Sequence, residues 1–383
     1  MNPNTRSRHA LGQFLWLDNI SRRLLHSGAL ARYIAELSVS GLSLNLTNFE
    51  QAIEHDDTYD SVIQELGAEG LSAEDIFFRL ALADLTEAAD LFLHIYQASK
   101  GLDGWVSLAV SPLLANDTDN SLKMARHLHV RAARPNLMIQ IPGTPAGLPA
   151  IEQSIADGMP VNATLLFSRE HYWAAAEAYI RGIERRIAAG LDPSVNCVAS
   201  IFVSLWDIAV ADKVPDEFQN RLGIAIAMRI YKSHRDLLNS KRWQKLAAVG
   251  ARPQRLQWAS IETTDPAVPD LLYVEALAAP ETIINMSEQT LFAYADHGKV
   301  DQVLPIDEGY AEAVITEFTR EGINDEALAD ELQRDGCAVL TLSWNRLLYR
   351  IALKSEALTQ AGLAMPAPRI YIEPIRGQPY IPN

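Results

Sequence analysis

The sequence predicts an α/β fold in which eight parallel strands form a barrel, followed by additional C-terminal helices. Short apolar runs alternate with long amphipathic stretches from residue 13 to about residue 300, as repeated β/α units do. The apolar runs number eight, which is the number of strands that closes a TIM-type (β/α)8 barrel. Of the 383 residues, 48% are apolar, so the chain is able to bury the large core of such a barrel.

Each predicted strand is a short apolar run between turn-forming or polar residues. In chain order the predicted strands are Phe14–Leu17, Leu42–Leu46, Trp105–Val110, Leu137–Ile141, Val161–Phe167, Cys197–Val203, Leu256–Ala259 and Leu272–Leu277.

The clearest predicted helices are long and have recognisable ends. One spans Ala73–Ala98, where two acidic residues occupy the first turn, and another spans His171–Ala189, which ends before Gly190. Two further helices, at about 308–321 and 325–360, are expected to pack on the outside of the barrel. We therefore expect one domain over residues 1–365.

Residues 366–383 are too rich in proline for a helix and predict an extended tail. A free tail would not need apolar anchors, so we expect this segment to dock on the barrel or on a partner subunit. A disordered terminus is the alternative. The anchors are Ile370, Tyr371, Ile372, Tyr380 and Ile381.

Composition and charge exclude several classes of function. A formal charge of −15 argues against a nucleic-acid partner, because phosphate backbones are bound by clustered Lys and Arg. The two cysteines, Cys197 and Cys337, have no metal-ligand spacing, and no glycine-rich nucleotide loop occurs. No apolar run is long enough to span a bilayer. We therefore expect a cytoplasmic protein with no cofactor, no metal and no membrane contact.

The run Met138-Ile139-Gln140-Ile141-Pro142 resembles the Schiff-base strand of transaldolases, where the family has M-I-K-I-P-A-T. The resemblance extends from about residue 10 to residue 360 and implies a transaldolase-type barrel. Its other landmarks are Leu15–Arg22, Val106–Pro112, Gly147–Ile151, Val161–Ser168 and Gly250–Ser260.

The same resemblance implies that the family's usual chemistry is lost. Gln140 stands at the position of the catalytic lysine, and an amide forms no imine with a ketose phosphate. Ala109 stands at the position of the family's acid/base glutamate. Leu205 stands at that of an arginine that binds phosphate, and the segment around Glu262 has no cation. We therefore expect a small-molecule substrate that is not a sugar phosphate.

The polar residues that remain predict a site at the barrel mouth. We assign catalytic roles to Asp18, Gln140 and Asn45, which we place on the second strand. Asp18 is the proposed acid/base, and its alternative is a carboxylate held by Asn45 or Asn162 for packing. Gln140 either fills the volume of a lysine while bonding Asp18, or orients a substrate carbonyl. The predicted substrate-binding residues are Asn162, Thr164, Ser200, Ser43, Leu205, Trp206 and Ser260.

Two functions stay open at this point. The first is a repurposed, cofactor-independent enzyme of specialised metabolism that promotes cyclisation, isomerisation or proton transfer without a Schiff base. The second is a non-catalytic pseudoenzyme that binds a ligand or a partner protein. A deep pocket lined by Asp18, Asn45 and Gln140 favours catalysis, whereas a filled barrel favours a binding role. A homodimer is left open.

Overall fold

The computed structural model describes residues 2–263, 265–306 and 308–364. Within them, eight parallel strands are hydrogen-bonded in chain order and the last strand pairs with the first, so the barrel closes. The predicted (β/α)8 fold is therefore confirmed. The strands are β1 Phe14–Leu17, β2 Val39–Ser43, β3 Val106–Ala109, β4 Leu137–Pro142, β5 Val161–Leu166, β6 Cys197–Phe202, β7 Arg255–Ala259 and β8 Ile283–Met286.

The helices surround the barrel and follow the predicted alternation with the strands. In chain order they are α1 Pro3–Leu11, α2 Arg22–His26, α3 Ala29–Leu37, α4 Leu46–His55, α5 Asp60–Ala68, α6 Ala73–Ala98, α7 Thr118–Ala132, α8 Gly147–Ala156, α9 Arg169–Ala188, α10 Ser204–Val210, α11 Leu222–Asn239, α12 Lys241–Ala248, α13 Leu272–Ala276, α14 Glu288–His297, α15 Glu308–Arg320 and α16 Asp325–Ala364. None of these helices, within the described ranges, has both the length and the apolar character needed to cross a bilayer.

The prediction of the eighth strand was wrong. Residues of the predicted strand Leu272–Leu277 form α13, where Glu275 N donates to Leu271 O and Leu277 N donates to Tyr273 O. The eighth strand is instead β8, whose residue Ile283 pairs with Phe14 of β1. Both segments are short apolar runs, and only pairing with β1 and β7 decides which of them is the strand.

The second strand also differs from its prediction. It ends at Ser43, and Asn45, which we had placed on the strand, is the N-cap of α4. The Asn45 Oδ1 atom accepts hydrogen bonds from Thr47 N at 3.0 Å and Asn48 N at 3.2 Å. Such a cap satisfies backbone donors that the first helical turn leaves unpaired. Asn45 is therefore fixed at the mouth of the barrel.

The N-terminal half of the barrel interior is filled by side chains. Trp16 is fully buried, and it belongs to an apolar cluster with Met138, Val198 and Ile283. Gly41 makes room for its ring, since a Cβ atom at residue 41 would lie 2.5 Å from Trp16 Nε1. This close packing closes the floor of the barrel, so a ligand cavity is restricted to the opposite end.

The last helix crosses the barrel mouth, contrary to the prediction that it packs outside. Gln333 Nε2 donates to Leu165 O at 2.9 Å and to Gly143 O at 3.2 Å, at the ends of β5 and β4. Trp344 packs against Phe77 and Phe78 of α6, with ring centroids 4.8 and 5.6 Å apart. Helix α15 lies against α11, as an outer helix does. Helix α16 therefore forms one wall of the mouth.

Candidate active site

A cavity of about 320 Å³ opens at the carboxyl ends of the strands. This volume suits a small molecule. Seven strands contribute a polar side chain to its lining, either from the strand or from the residue directly after it, and β3 contributes Ala109. One such residue from each of the seven strands, in chain order, is Asp18, Ser43, Gln140, Asn162, Ser200, Gln257 and Asn285.

Three of these side chains form a hydrogen-bonded wall on β5, β6 and β7. Asn162 Nδ2 donates to Gln257 Oε1 at 3.1 Å. The Ser200 hydroxyl lies 2.7 Å from Asn162 Oδ1 and 2.9 Å from Gln257 Oε1. All three residues are buried, and their mutual hydrogen bonds hold each one in a single orientation. Sequence reasoning missed Gln257. This residue lies on β7 two positions before Ala259, which also lines the cavity, and strand alternation places both side chains on the face that points into the barrel.

Asp18 lies on the opposite side of the cavity and is held by two asparagines. Asn45 Nδ2 donates to Asp18 Oδ2 at 2.8 Å, and Asn48 Nδ2 donates to Asp18 O at 2.9 Å. Burial raises the pKa of the Asp18 carboxyl, the Asn45 hydrogen bond opposes this shift, and the nearby charge of Glu262 adds to it. The exposed part of Asp18 faces the cavity.

Glu262 is the second carboxylate of the cavity. Its Oε1 atom accepts a hydrogen bond from Ser287 N at 3.1 Å, and its Oε2 atom accepts one from Ile261 N at 3.2 Å. These two backbone amides fix the orientation of the side chain. Sequence reasoning considered Glu262 only as a residue that repels phosphate, and did not include it in the site.

Gln140 has an unpaired amide nitrogen. Its backbone pairs with Ala109 of β3 and with Asn162 of β5, which places the side chain in the cavity. Gln140 Nε2 is buried and has no hydrogen-bond partner within the described residues. No hydrogen bond therefore joins Gln140 Nε2 to Asp18, one of the two roles suggested from the sequence. A buried unpaired N–H is unfavourable, so a hydrogen-bond acceptor brought to this atom would stabilise it.

Eight of the ten predicted site residues line the cavity, and two do not. Trp206 is fully buried and donates its indole N–H to Phe167 O at 3.2 Å, while Leu205 packs against the apolar core. Ser260 lies at the rim with a left-handed φ of 50°, and its hydroxyl is 2.9 Å from that of Ser204. The eight are Asp18, Asn45, Gln140, Asn162, Thr164, Ser200, Ser43 and Ser260.

The charges of the cavity are entirely negative. Its lining contains Asp18 and Glu262, and among the described residues no Lys, Arg or His contributes to it. The eight lysines of the chain lie on helices, turns and loops outside the barrel strands. No group of three or more His, Cys, Asp or Glu side chains suited to a metal ion occurs in the part of the chain that the structure describes.

Comparison with known proteins identifies the family. The family model described as transaldolase/fructose-6-phosphate aldolase matches residues 15–351. A transaldolase of Parafrankia sp. (strain EAN1pec) is 40% identical over 352 residues, covering 89% of this chain and 95% of that protein. A transaldolase of Thermobifida fusca (strain YX) is 39% identical, covering 91% and 97%. Transaldolase 2 of Nostoc punctiforme is 38% identical, covering 91% and 96%. The chain therefore belongs to the transaldolase/fructose-6-phosphate aldolase family.

Proposed function

We propose that this chain is a repurposed enzyme of its family that acts without a Schiff base on a small molecule carrying no phosphate. The observation that carries the proposal is that Gln140, which the resemblance aligns with the family's lysine, lies on β4 and lines the cavity. An amide nitrogen is neither basic nor nucleophilic, so it forms no imine with a carbonyl substrate. The eight lysines lie outside the barrel strands, which argues against a substitute.

The charge of the cavity supports a substrate without phosphate. A phosphate dianion is bound by Arg, Lys or clustered backbone amides. The described lining of this cavity offers carboxylates at Asp18 and Glu262 instead. Repulsion between like charges grows as water is excluded, so a phosphate would be disfavoured in this cavity.

The remaining side chains support proton transfer or polarisation of a carbonyl group. Asp18 is positioned by Asn45, and its raised pKa brings the carboxyl closer to the range in which a side chain both accepts and returns a proton. Gln140 Nε2, which has no hydrogen-bond partner within the described residues, supplies a donor for a ligand carbonyl. This arrangement suits cyclisation, isomerisation or another proton-transfer reaction that needs no cofactor, as in specialised metabolism.

The central test is borohydride trapping with dihydroxyacetone and with fructose 6-phosphate. Because residue 140 carries no amine, we expect the mass of the intact protein to stay unchanged. Gln140→Lys serves as the matched control, and its buried amine should be trapped as a reduced adduct. A stable adduct at any lysine of the unmodified protein would contradict the proposal.

Thermal unfolding with sugar phosphates tests the second half of the proposal. A ligand with a Kd of about 100 μM contributes about 1.4 kcal/mol at 1 mM. We expect no such stabilisation by fructose 6-phosphate or erythrose 4-phosphate. Clear stabilisation would mean that a cation reaches the cavity, and would contradict a substrate without phosphate.

Two other functions have observations in their favour. The transaldolase names of the relatives favour transfer of a dihydroxyacetone unit between sugar phosphates, which a coupled transaldolase assay detects directly. The presence of Ala109 beside Gln140 favours a pseudoenzyme that binds a ligand without turnover. In that case the Asp18→Asn variant would still bind the ligand, and neither this variant nor the unmodified protein would form a product.

A further inference from the structure

Two carboxylates enter the cavity from one edge of the barrel, at the end of β8. The Asp18 backbone N–H donates to Met286 O at 2.8 Å, and the Glu262 carboxylate accepts from the N–H of the next residue, Ser287, at 3.1 Å. Both side chains line the cavity. Both hydrogen bonds are made to the single peptide group that joins Met286 and Ser287, and the charge of Glu262 acts on the Asp18 carboxyl, so the two side chains are neighbours.

Neither carboxylate has a cationic partner among the described residues. Asp18 receives its side-chain hydrogen bonds from neutral amides, and Glu262 receives its own from two backbone amides. Two neighbouring carboxylates in a partly buried cavity repel each other unless one takes up a proton or a cation lies between them. The charge of Glu262 contributes to the raised pKa of Asp18, in agreement with this repulsion.

The rest of the cavity offers neutral groups for oxygen atoms of a ligand. Gln140 lines the cavity, and its Nε2 atom is buried without a hydrogen-bond partner in the described residues. Buried polar groups are seldom left unpaired, and this one points to a ligand with hydroxyl or carbonyl oxygens.

We propose that the cavity takes a polyhydroxylated ligand with a protonated amine, whose ammonium group lies between Asp18 and Glu262. The inference rests on the proposed function, because it names the class of that non-phosphorylated substrate. An ammonium group supplies three donors, which neighbouring carboxylates accept as charge-assisted hydrogen bonds. The hydroxyl groups of the ligand pair with Gln140 and with the polar wall on β5 to β7.

The test compares three open-chain polyols by calorimetric titration of the full chain at pH 7.5. D-glucitol is neutral, D-glucamine replaces one hydroxyl by a protonated amine, and D-glucitol 6-phosphate carries a phosphate. We expect D-glucamine to bind at least tenfold more tightly than D-glucitol. Glu262→Gln should abolish this preference, so that D-glucamine and D-glucitol bind this variant with affinities within threefold of each other. Asp18→Asn should also reduce the preference.

Asp296→Asn provides the control, since Asp296 is an exposed acid outside the cavity, and the preference should persist in this variant. Three outcomes would overturn the proposed ammonium subsite. They are equal affinities for D-glucamine and D-glucitol, a preference for D-glucamine that persists in Glu262→Gln, and the absence of any binding of D-glucamine. Tightest binding of D-glucitol 6-phosphate would instead overturn the proposed function. The two failures are therefore distinguishable.

Discussion

At the scale of single residues, Asp18 and Asp207 show how two buried carboxylates serve different purposes. Asp207 accepts hydrogen bonds from Leu222 N at 2.9 Å, Gly223 N at 3.1 Å and the Tyr273 hydroxyl at 2.8 Å. Its carboxylate thereby links α10 to the start of α11 and to α13. Asp18 has fewer protein partners, and part of it faces the cavity. Asp207 is a structural group, whereas Asp18 is open to a ligand.

The Asp207 carboxyl predicts a pH dependence of stability. Burial raises its pKa to about 6, against about 3.9 for an unfolded Asp. The folded protein therefore retains a proton that the unfolded chain releases between these values. The stability contributed by this group is complete below about pH 4 and is lost as the pH rises through about 6.

Asp207→Asn removes this titration. The free energy of unfolding of the unmodified protein, measured relative to that of the variant, should fall by at most about 3 kcal/mol between pH 4 and pH 7. Urea unfolding at several pH values measures the difference. Parallel pH profiles for the two proteins would show that Asp207 does not titrate as inferred.

The resemblance predicted most residues of the candidate site, and the residues it missed have identifiable causes. Asn285 was overlooked because its strand was assigned to a different segment. Trp206 was placed at the mouth because it follows Leu205, where the resemblance puts the family's phosphate-binding arginine, but α10 begins at Ser204 and directs the indole to Phe167 O. The direction of a side chain after a strand depends on the first turn of the next helix, which sequence spacing does not specify.

At the scale of secondary-structure elements, the bounds of the helices along the sequence were easier to predict than the surfaces against which they pack. Helix α6 has the predicted bounds, and α9 begins two residues early because Ser168 caps it by accepting from His171 N. The path of α16 depends on Gln333 reaching two backbone carbonyls that lie 168 and 190 residues earlier in the chain. Amphipathic periodicity identifies a helix but does not specify which surface of the protein the helix packs against.

Trp344 tests how α16 is held across the mouth. Its ring is 1% exposed against Phe77 and Phe78, so Trp344→Ala should lower the free energy of unfolding by about 3–5 kcal/mol. The loosened helix also carries Val339 and Leu340 of the cavity wall, and ligand affinity should fall with stability. Chemical unfolding followed by circular dichroism measures the first effect.

Asn345→Ala is the matched control for Trp344→Ala, because Asn345 lies on the same helix, is exposed and takes no part in the contact with α6. We expect a change of about 0.5 kcal/mol or less in the free energy of unfolding. Similar losses in the two variants would mean that α16 is not held by its contact with α6.

At the scale of the whole molecule, the two ends of the barrel have opposite characters. The apolar cluster around Trp16 fills the N-terminal half, whereas amides, hydroxyls and two carboxylates line the C-terminal half. The net charge of −15 also makes the overall field of the protein negative. Such a field lowers the local concentration of anions and raises that of cations. The whole chain thus favours the same class of ligand as Asp18 and Glu262.

The segment 366–383 lies outside the described residues, and its docking stays a prediction. The described part of the chain offers a surface for it, the exposed face of α16. This face is formed by Val339, Leu342, Tyr349 and Leu353, which are 43–62% exposed and repeat at spacings that place them on one side of a helix. It begins at the cavity rim, where Val339 belongs to the lining.

The length of the chain after Ala364 allows it to turn back along α16. About 38 Å of helix separates Ala364 from Val339, and the remaining 19 residues span up to about 60 Å when extended. We expect the prolines to reduce the entropy lost on docking and the five apolar anchors to cover this face. Truncation after Ala364 should then lower the unfolding temperature and increase the binding of an apolar dye. Truncation after Gly377 keeps Ile370, Tyr371 and Ile372 and should have a smaller effect. If both truncated proteins match the full chain in stability, assembly and ligand binding, the segment does not dock.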